Sequence, residues 1–303
     1  MRSMEEIYEE LNGLIGEGRW TEIEPFLRGR MDEAREEESN GVYVAAGNEL
    51  LSFYRQSGQY EKAFAVSEDI LLLMEELNLE DTEHFALVLM STGAAYEGAG
   101  RPYEAERCYA RAVRIMDGKK GGELLLAEAL TRQGLLVLAG AERQEAQEPG
   151  LNQAEPFPRP DQAKPLLHPE QAEQLLVRAE ELFAKVEEEH ISREGKDGAP
   201  DDQAAIYRLT ALSGMGEAAF RRKDYVRSLA CYEKAAEKSA SLFGASEGTR
   251  LFWKNCAAVC AALSDPEKEA HYRAMADGAS GPECSGLPVS DGLSGTKPGG
   301  NAS

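Results

Sequence analysis

The feature that most limits what this chain can fold into is an internal repeat. The segment Tyr54-x3-Gly58-x-Tyr60-x2-Ala63 returns as Tyr96-x3-Gly100-x4-Ala105-x3-Tyr109-x2-Ala112. Anchored on such marks, six copies start at Met4, Val44, Ala86, Ala127, Leu209 and Arg250, with spacings of 40, 42, 41, 82 and 41 residues. A period of this size marks a unit that cannot bury its apolar face alone and must stack on its neighbours. Within each copy the apolar residues recur at helical spacing, as in Ala45, Leu50, Leu51, Phe53 and Tyr54, and no sustained alternation of β-branched residues suggests a strand. The expected fold class is all-α, built from antiparallel helix pairs.

These marks resemble the tetratricopeptide repeat (TPR) family, and the copy at 86–119 is the closest match. A period near 42 is similar to the longer-helix variety of kinesin light chains and bacterial peptide sensors. The resemblance implies a right-handed superhelical solenoid of about six helix pairs. It also gives each position a physical reason. Small residues at positions 8, 20 and 27 (Gly93, Ala105 and Ala112) let the two helices of a pair approach, and large ones at 4, 11 and 24 (Leu89, Tyr96 and Tyr109) fill the gaps. Gly58 and Gly100 supply the positive φ that ends the first helix. Pro102 and Pro266 both fall in the first turn of the second, where no backbone donor is lost. In the first copy, Thr21-x-x-Glu24 before Pro25 predicts a second helix that starts late, behind a capping box.

Two stretches break the pattern. Six of the 13 prolines lie within 149–169, and 141–168 is expected to be an irregular Pro-rich insertion. It accounts for the doubled spacing if it sits in the turn of the fourth copy. The first helix of that copy would run from about Leu124 to Ala139, and its partner from Gln171 to Glu189, with Ala172, Leu176 and Ala179 at positions 20, 24 and 27. A shorter loop is expected at Arg193–Pro200. Residues 278–303 are Gly, Ser and Pro with few large apolar side chains, and are expected to form a disordered tail after a repeat domain spanning 1–277.

Composition narrows the function. Hydrophobic residues make up 42% and charged residues 29%, which excludes wholesale disorder. With 33 Lys and Arg against 54 Asp and Glu, the net charge of −21 argues against nucleic acid and anionic membranes as ligands. No signal peptide or spanning segment is visible, and the five scattered cysteines suit reduced thiols, so a cytoplasmic location is expected. The sequence carries no phosphate loop, dinucleotide fingerprint, zinc-protease helix or nucleophile elbow. No catalytic residue, metal site or cofactor is therefore assigned. Cys256 and Cys260 are read as buried thiols, and Glu36–Glu38 and Glu187–Glu189 as solvated faces.

Function must then come from a surface. In the resembled family, positions 2, 5, 9, 12 and 13 of the first helix line a concave groove that binds peptides. Carried over, the ligand-binding candidates are Asn48, Ser52, Arg55, Met90, Leu135, Phe220, Arg221 and Lys254, with Arg132 and Asn255 on the groove edge. The family's carboxylate-clamp pattern is not matched. The expected function is a non-enzymatic module that binds a basic or neutral protein or peptide segment. The alternative is a regulatory sensor of a small signalling peptide. Such sensors carry an N-terminal effector domain, for which repeats starting at Met4 leave no room.

Overall fold

The structure, a computed structural model, describes residues 4–146, 169–194 and 202–278. Among them are twelve α-helices and no strand. They fall into two compact units, Met1–His168 and Pro169–Ser303. The first unit holds α1 (Met4–Gly16), α2 (Trp20–Glu36), α3 (Asn40–Gln56), α4 (Tyr60–Glu76), α5 (Glu83–Gly98), α6 (Pro102–Met116) and α7 (Glu123–Ala146). The second holds α8 (Pro169–Glu194), α9 (Asp202–Arg221), α10 (Tyr225–Phe243), α11 (Glu247–Ala262) and α12 (Pro266–Gly278). Within each unit every helix packs on the one that follows it. The all-α expectation and the sequential pairing are both met.

The two helices of a pair play different parts. Odd-numbered α5 is buried on almost every side, through Phe85, Ala86, Val88, Leu89, Met90 and Thr92, because α3, α4 and α6 all pack on it. Even-numbered α6 buries only Ala105, Glu106, Tyr109, Ala112 and Met116, a single stripe at helical spacing, and leaves the opposite face to water. The small positions do what the repeat predicts. A Cβ added to Gly93 would stand 2.5 Å from the fully buried Tyr109 ring, and one on Gly216 would stand 2.9 Å from Tyr232. Ser228 fills a small position in the fifth copy, and its hydroxyl donates to the Gly216 carbonyl at 2.8 Å.

Where the turn inside a pair lies among the described residues, it is a Schellman motif. At the expected position Gly58 and Gly100 both have φ of +72°, and the following amide donates five residues back, Gln59 to Tyr54 and Arg101 to Tyr96. Lys223 and Ser264 take the same left-handed conformation in the fifth and sixth copies, although neither is glycine. Pro102 and Pro266 begin α6 and α12 as expected. Side-chain caps on Thr82, Asp224 and Ser246 start α5, α10 and α11.

Several boundaries differ from expectation. Helix α2 starts early, at Trp20, with no side-chain cap, so the Thr21/Glu24 capping box does not form and Pro25 lies inside the helix. Glu24 is drawn elsewhere: it accepts from the Tyr54 hydroxyl at 2.7 Å and pairs with Lys62. Helix α7 continues to Ala146, so the insertion does not begin at 141. Ala141–Ala146 contains only good helix formers, and the first breaker is Pro149. Helix α8 starts at Pro169, whose fixed φ suits a first turn, and runs through Arg193 to Glu194. The rest of the insertion, the remainder of the second loop and the tail beyond Gly278 lie outside the described residues.

Candidate functional site

In each unit the odd-numbered helices carry the candidate residues. On α3, Asn48, Ser52 and Arg55 stand at i, i+4 and i+7, one side of two helical turns, and all three are half-buried. The Asn48 Oδ1 atom is out of solvent and has no hydrogen-bond partner among the described residues. Beside it Glu49 is half-buried, and burial alone raises its pKa above the usual carboxylate value. Tyr8 of α1 lies close enough that the Glu49 charge, adding to the phenol's own burial, raises the Tyr8 pKa as well. An uncompensated acceptor and an uncompensated carboxylate thus occupy consecutive positions of α3.

The other candidates are placed as follows. Met90 is 6% exposed, so its side chain belongs to the core of α5. The physical reason is that α5 is enclosed by three helices and has little free face. Arg132 on α7 is half-buried between two carboxylates, 3.3 Å from Glu128 and 3.8 Å from Glu97. Glu97 also accepts from the buried Tyr109 hydroxyl at 2.8 Å, which ties α5, α6 and α7 together. Leu135 is half-buried one turn beyond Arg132. In the second unit, Phe220 is exposed and tilts against Tyr225, while Arg221 pairs with Glu217. Lys254 is exposed and Asn255 half-buried on α11. The structure brings Asn48, Ser52 and Arg55 onto one face, and Arg132 with Leu135 onto another.

Glu49 was missed from the sequence, although it holds the same repeat position as Arg132 and Asn255. The glutamates of α8 were missed as well. Glu173, Glu180 and Glu187 recur every seventh residue and form a ladder of ion pairs inside the second unit. Glu173 meets Arg222 and Arg227, Glu180 meets Arg208 and Lys234, and Glu187 meets Arg208 and Lys238. Glu187 is therefore not a solvated residue, whereas Glu188 and Glu189 are exposed. The seven-residue spacing was the available signal.

The four described thiols are not activated. Burial pushes the Cys108 and Cys256 thiols up to about 12, despite Arg107 and Arg111 near Cys108, so both stay protonated at neutral pH. Cys256 and Cys260 are fully buried, as expected. Among the described residues no group of three His, Cys, Asp or Glu side chains is placed to hold a metal, and no helix is long and apolar enough to cross a membrane.

Comparison with known proteins rests on structure. The sequence matches no family model and no curated protein. Solved structures do match. The chain is similar to BtubC (BKLC) from P. vanneervenii, with 17% identity over 86% of this chain and 90% of that one, at a TM-score of 0.61. It is also similar to a crystal structure of nearly identical kinesin-light-chain TPR-like repeats from Podosopora anserina, with 13% identity over 78% of this chain and 94% of that one, at a TM-score of 0.54. The fold is TPR-like. Within each unit its helices pair in sequence as in TPR-like repeats.

Proposed function

We propose that this TPR-like chain is a non-enzymatic, cytoplasmic interaction module. It binds a neutral or basic segment of a protein partner across the odd-helix face, with its strongest anchor on α3. The observation that carries this reading is the pair Asn48 and Glu49. A buried amide oxygen with no partner and a carboxylate with no compensating charge are both costly alone. A ligand offering a backbone N–H and a Lys or Arg side chain satisfies both. Arg55, two turns along, holds a carbonyl or carboxylate of the same segment. The net charge of −21 steers in basic partners and repels nucleic acid and anionic membrane. No cofactor or metal enters this role. Ala172, Leu176 and Ala179 keep the repeat register beyond the insertion and are fully buried, so we extend the reading to one repeat domain over 1–277.

The test is selection from a peptide-display library on the full chain. Peptides rich in Lys or Arg should be enriched. N48A and E49Q should each weaken the best of them about tenfold, the value of one good hydrogen bond or charge contact. Raising salt from about 50 to about 500 mM should weaken them further, because exposed charges are then screened within a few Å. Enrichment of acidic peptides, or affinity indifferent to both substitutions and to salt, would overturn the proposal.

A further inference from the structure

One sizeable cleft in the first unit is not on the odd-helix face. It lies between α4 and α6, with α5 as its floor, and has a volume of about 880 Å³. The floor is Leu89, Thr92 and Tyr96. Its buried polar pairs are internally satisfied, since the Ser67 and Thr92 hydroxyls hydrogen-bond at 2.8 Å and the Gln133 amide donates to Glu106 at 2.9 Å. On the α4 wall Leu72 is 53% exposed, a large apolar side chain facing a gap. The equivalent interval one repeat earlier is narrower, a cavity of about 450 Å³ lined by Arg35, Tyr43, Asp69 and Leu73 among others, and it is tied shut at its far end. There Lys62 of α4 reaches Glu24 of α2 at 3.2 Å, and Arg28 and Glu24 both bond the Tyr54 hydroxyl. Between α4 and α6 the span is bridged by Arg111 and Glu75 at 3.0 Å, both well exposed. A bridge of that kind contributes about 0–1 kcal/mol and yields readily to a competitor.

The walls differ in charge. Glu68 and Glu75 stand two turns apart on α4, and Arg107, Arg111 and Arg114 run along α6, whose two glutamates in the lining are engaged elsewhere, Glu104 with Arg101 and the buried Glu106 with the Gln133 amide. We propose that this cleft is a second docking site, and that it takes one amphipathic helix of a partner protein. The apolar stripe of that helix packs on the α5 floor, its basic flank lies along α4 and its acidic flank along α6. Three observations select a helix. The lining of α4 extends from Phe64 to Glu75, about 16 Å at 1.5 Å per residue, which is three helical turns. The floor offers no free backbone donor or acceptor, so an extended strand would leave its own amides unpaired, whereas a helix satisfies them internally. Opposite charges on the two walls fit opposite charges on the two flanks of one helix. They fit neither nucleic acid nor membrane.

The probe is a synthetic peptide of about 16 residues with an Ala-rich helical frame and Leu at i, i+4, i+7 and i+11. One flank carries Lys and the other Glu. Binding to the full chain is read by fluorescence anisotropy against two control peptides, with both flanks Lys or both flanks Glu. The mixed peptide should bind at least tenfold tighter than either control. The double variant R107E/R114E, which alters two exposed side chains, should lose the mixed peptide and gain the all-Lys one. A110W, which fills the cleft, should abolish binding. N48A should leave it unchanged, which separates this site from the odd-helix face. The proposal is overturned if the wild-type chain does not bind the mixed peptide, if the controls bind equally well, or if R107E/R114E leaves the preference intact.

Discussion

Lys223 and Ser264 show what a single backbone position is worth in this chain. Each occupies the left-handed turn that Gly58 and Gly100 fill elsewhere, and each is exposed, so its side chain contributes little packing. A residue with a Cβ is strained there by about 1 kcal/mol relative to glycine. S264G should therefore raise the melting temperature, by about 0.5–1 kcal/mol of stability in a denaturant titration, even though it removes atoms. G93A should do the reverse. Its new Cβ would meet a Tyr109 ring that is fully buried and tied to Glu97, so the ring cannot swing clear. A loss of about 1–3 kcal/mol is expected, as for other overpacked cores. A stable G93A would mean that α5 and α6 separate more easily than their packing implies.

At the scale of the element, α8 carries the clearest prediction. Burial pushes the Glu180 and Glu187 pKa values up, but hydrogen bonds and charge override it, from Lys234 and Arg208 for Glu180 and from Lys238 and Arg208 for Glu187. The net shift of both is downward. A carboxylate with a lowered folded pKa stabilises the fold above its unfolded value, near 4.5, and that contribution is lost as pH falls through the folded value. Hydrogen-exchange protection of α8 should accordingly fall below about pH 4.5 before that of α3–α6 does. E180Q should remove part of this acid dependence. At neutral pH it should cost about 1–3 kcal/mol, because Arg208 and Lys234 lose a buried counterion. If α8 loses protection in step with α3–α6, the ladder has no separate role.

For the whole molecule, the question is whether the repeat register runs through the insertion. Replacing 147–165 with a short Gly/Ser turn should preserve a single cooperative melting transition, as one repeat domain over 1–277 requires. Two resolved transitions would show that the two units unfold independently. The uneven charge acts at this scale too. Residues 1–40 hold 12 acidic and 5 basic side chains, a local net of −7, and residues 61–100 hold 9 and 1, a net of −8, so the field that steers a basic partner is concentrated in the first unit.

The sequence by itself determined the fold class, the helix pairing and the turns, because these follow from local rules. A 42-residue period, small residues facing large ones and a proline in a first turn each constrain only near neighbours, and Gly93 with Tyr109 or Pro102 with Gly100 could be read directly. Where a segment had no breaker, as at Ala141–Ala146, the helix ran past the expected limit. Only the tertiary structure decided what distant side chains do. Glu24 could cap α2 or bond Tyr54, 30 residues away, and its position in space chose the second. Met90 stood at a groove position by register, yet packing by three neighbouring helices took it into the core. The α4–α6 cleft is likewise invisible to periodicity. It exists because small side chains such as Ser67 and Ala110 line a gap that is narrower one repeat earlier, where Lys62 reaches Glu24. The candidate face was legible as a set of positions, whereas the unpartnered state of Asn48 and Glu49 depends on which neighbours fail to reach them.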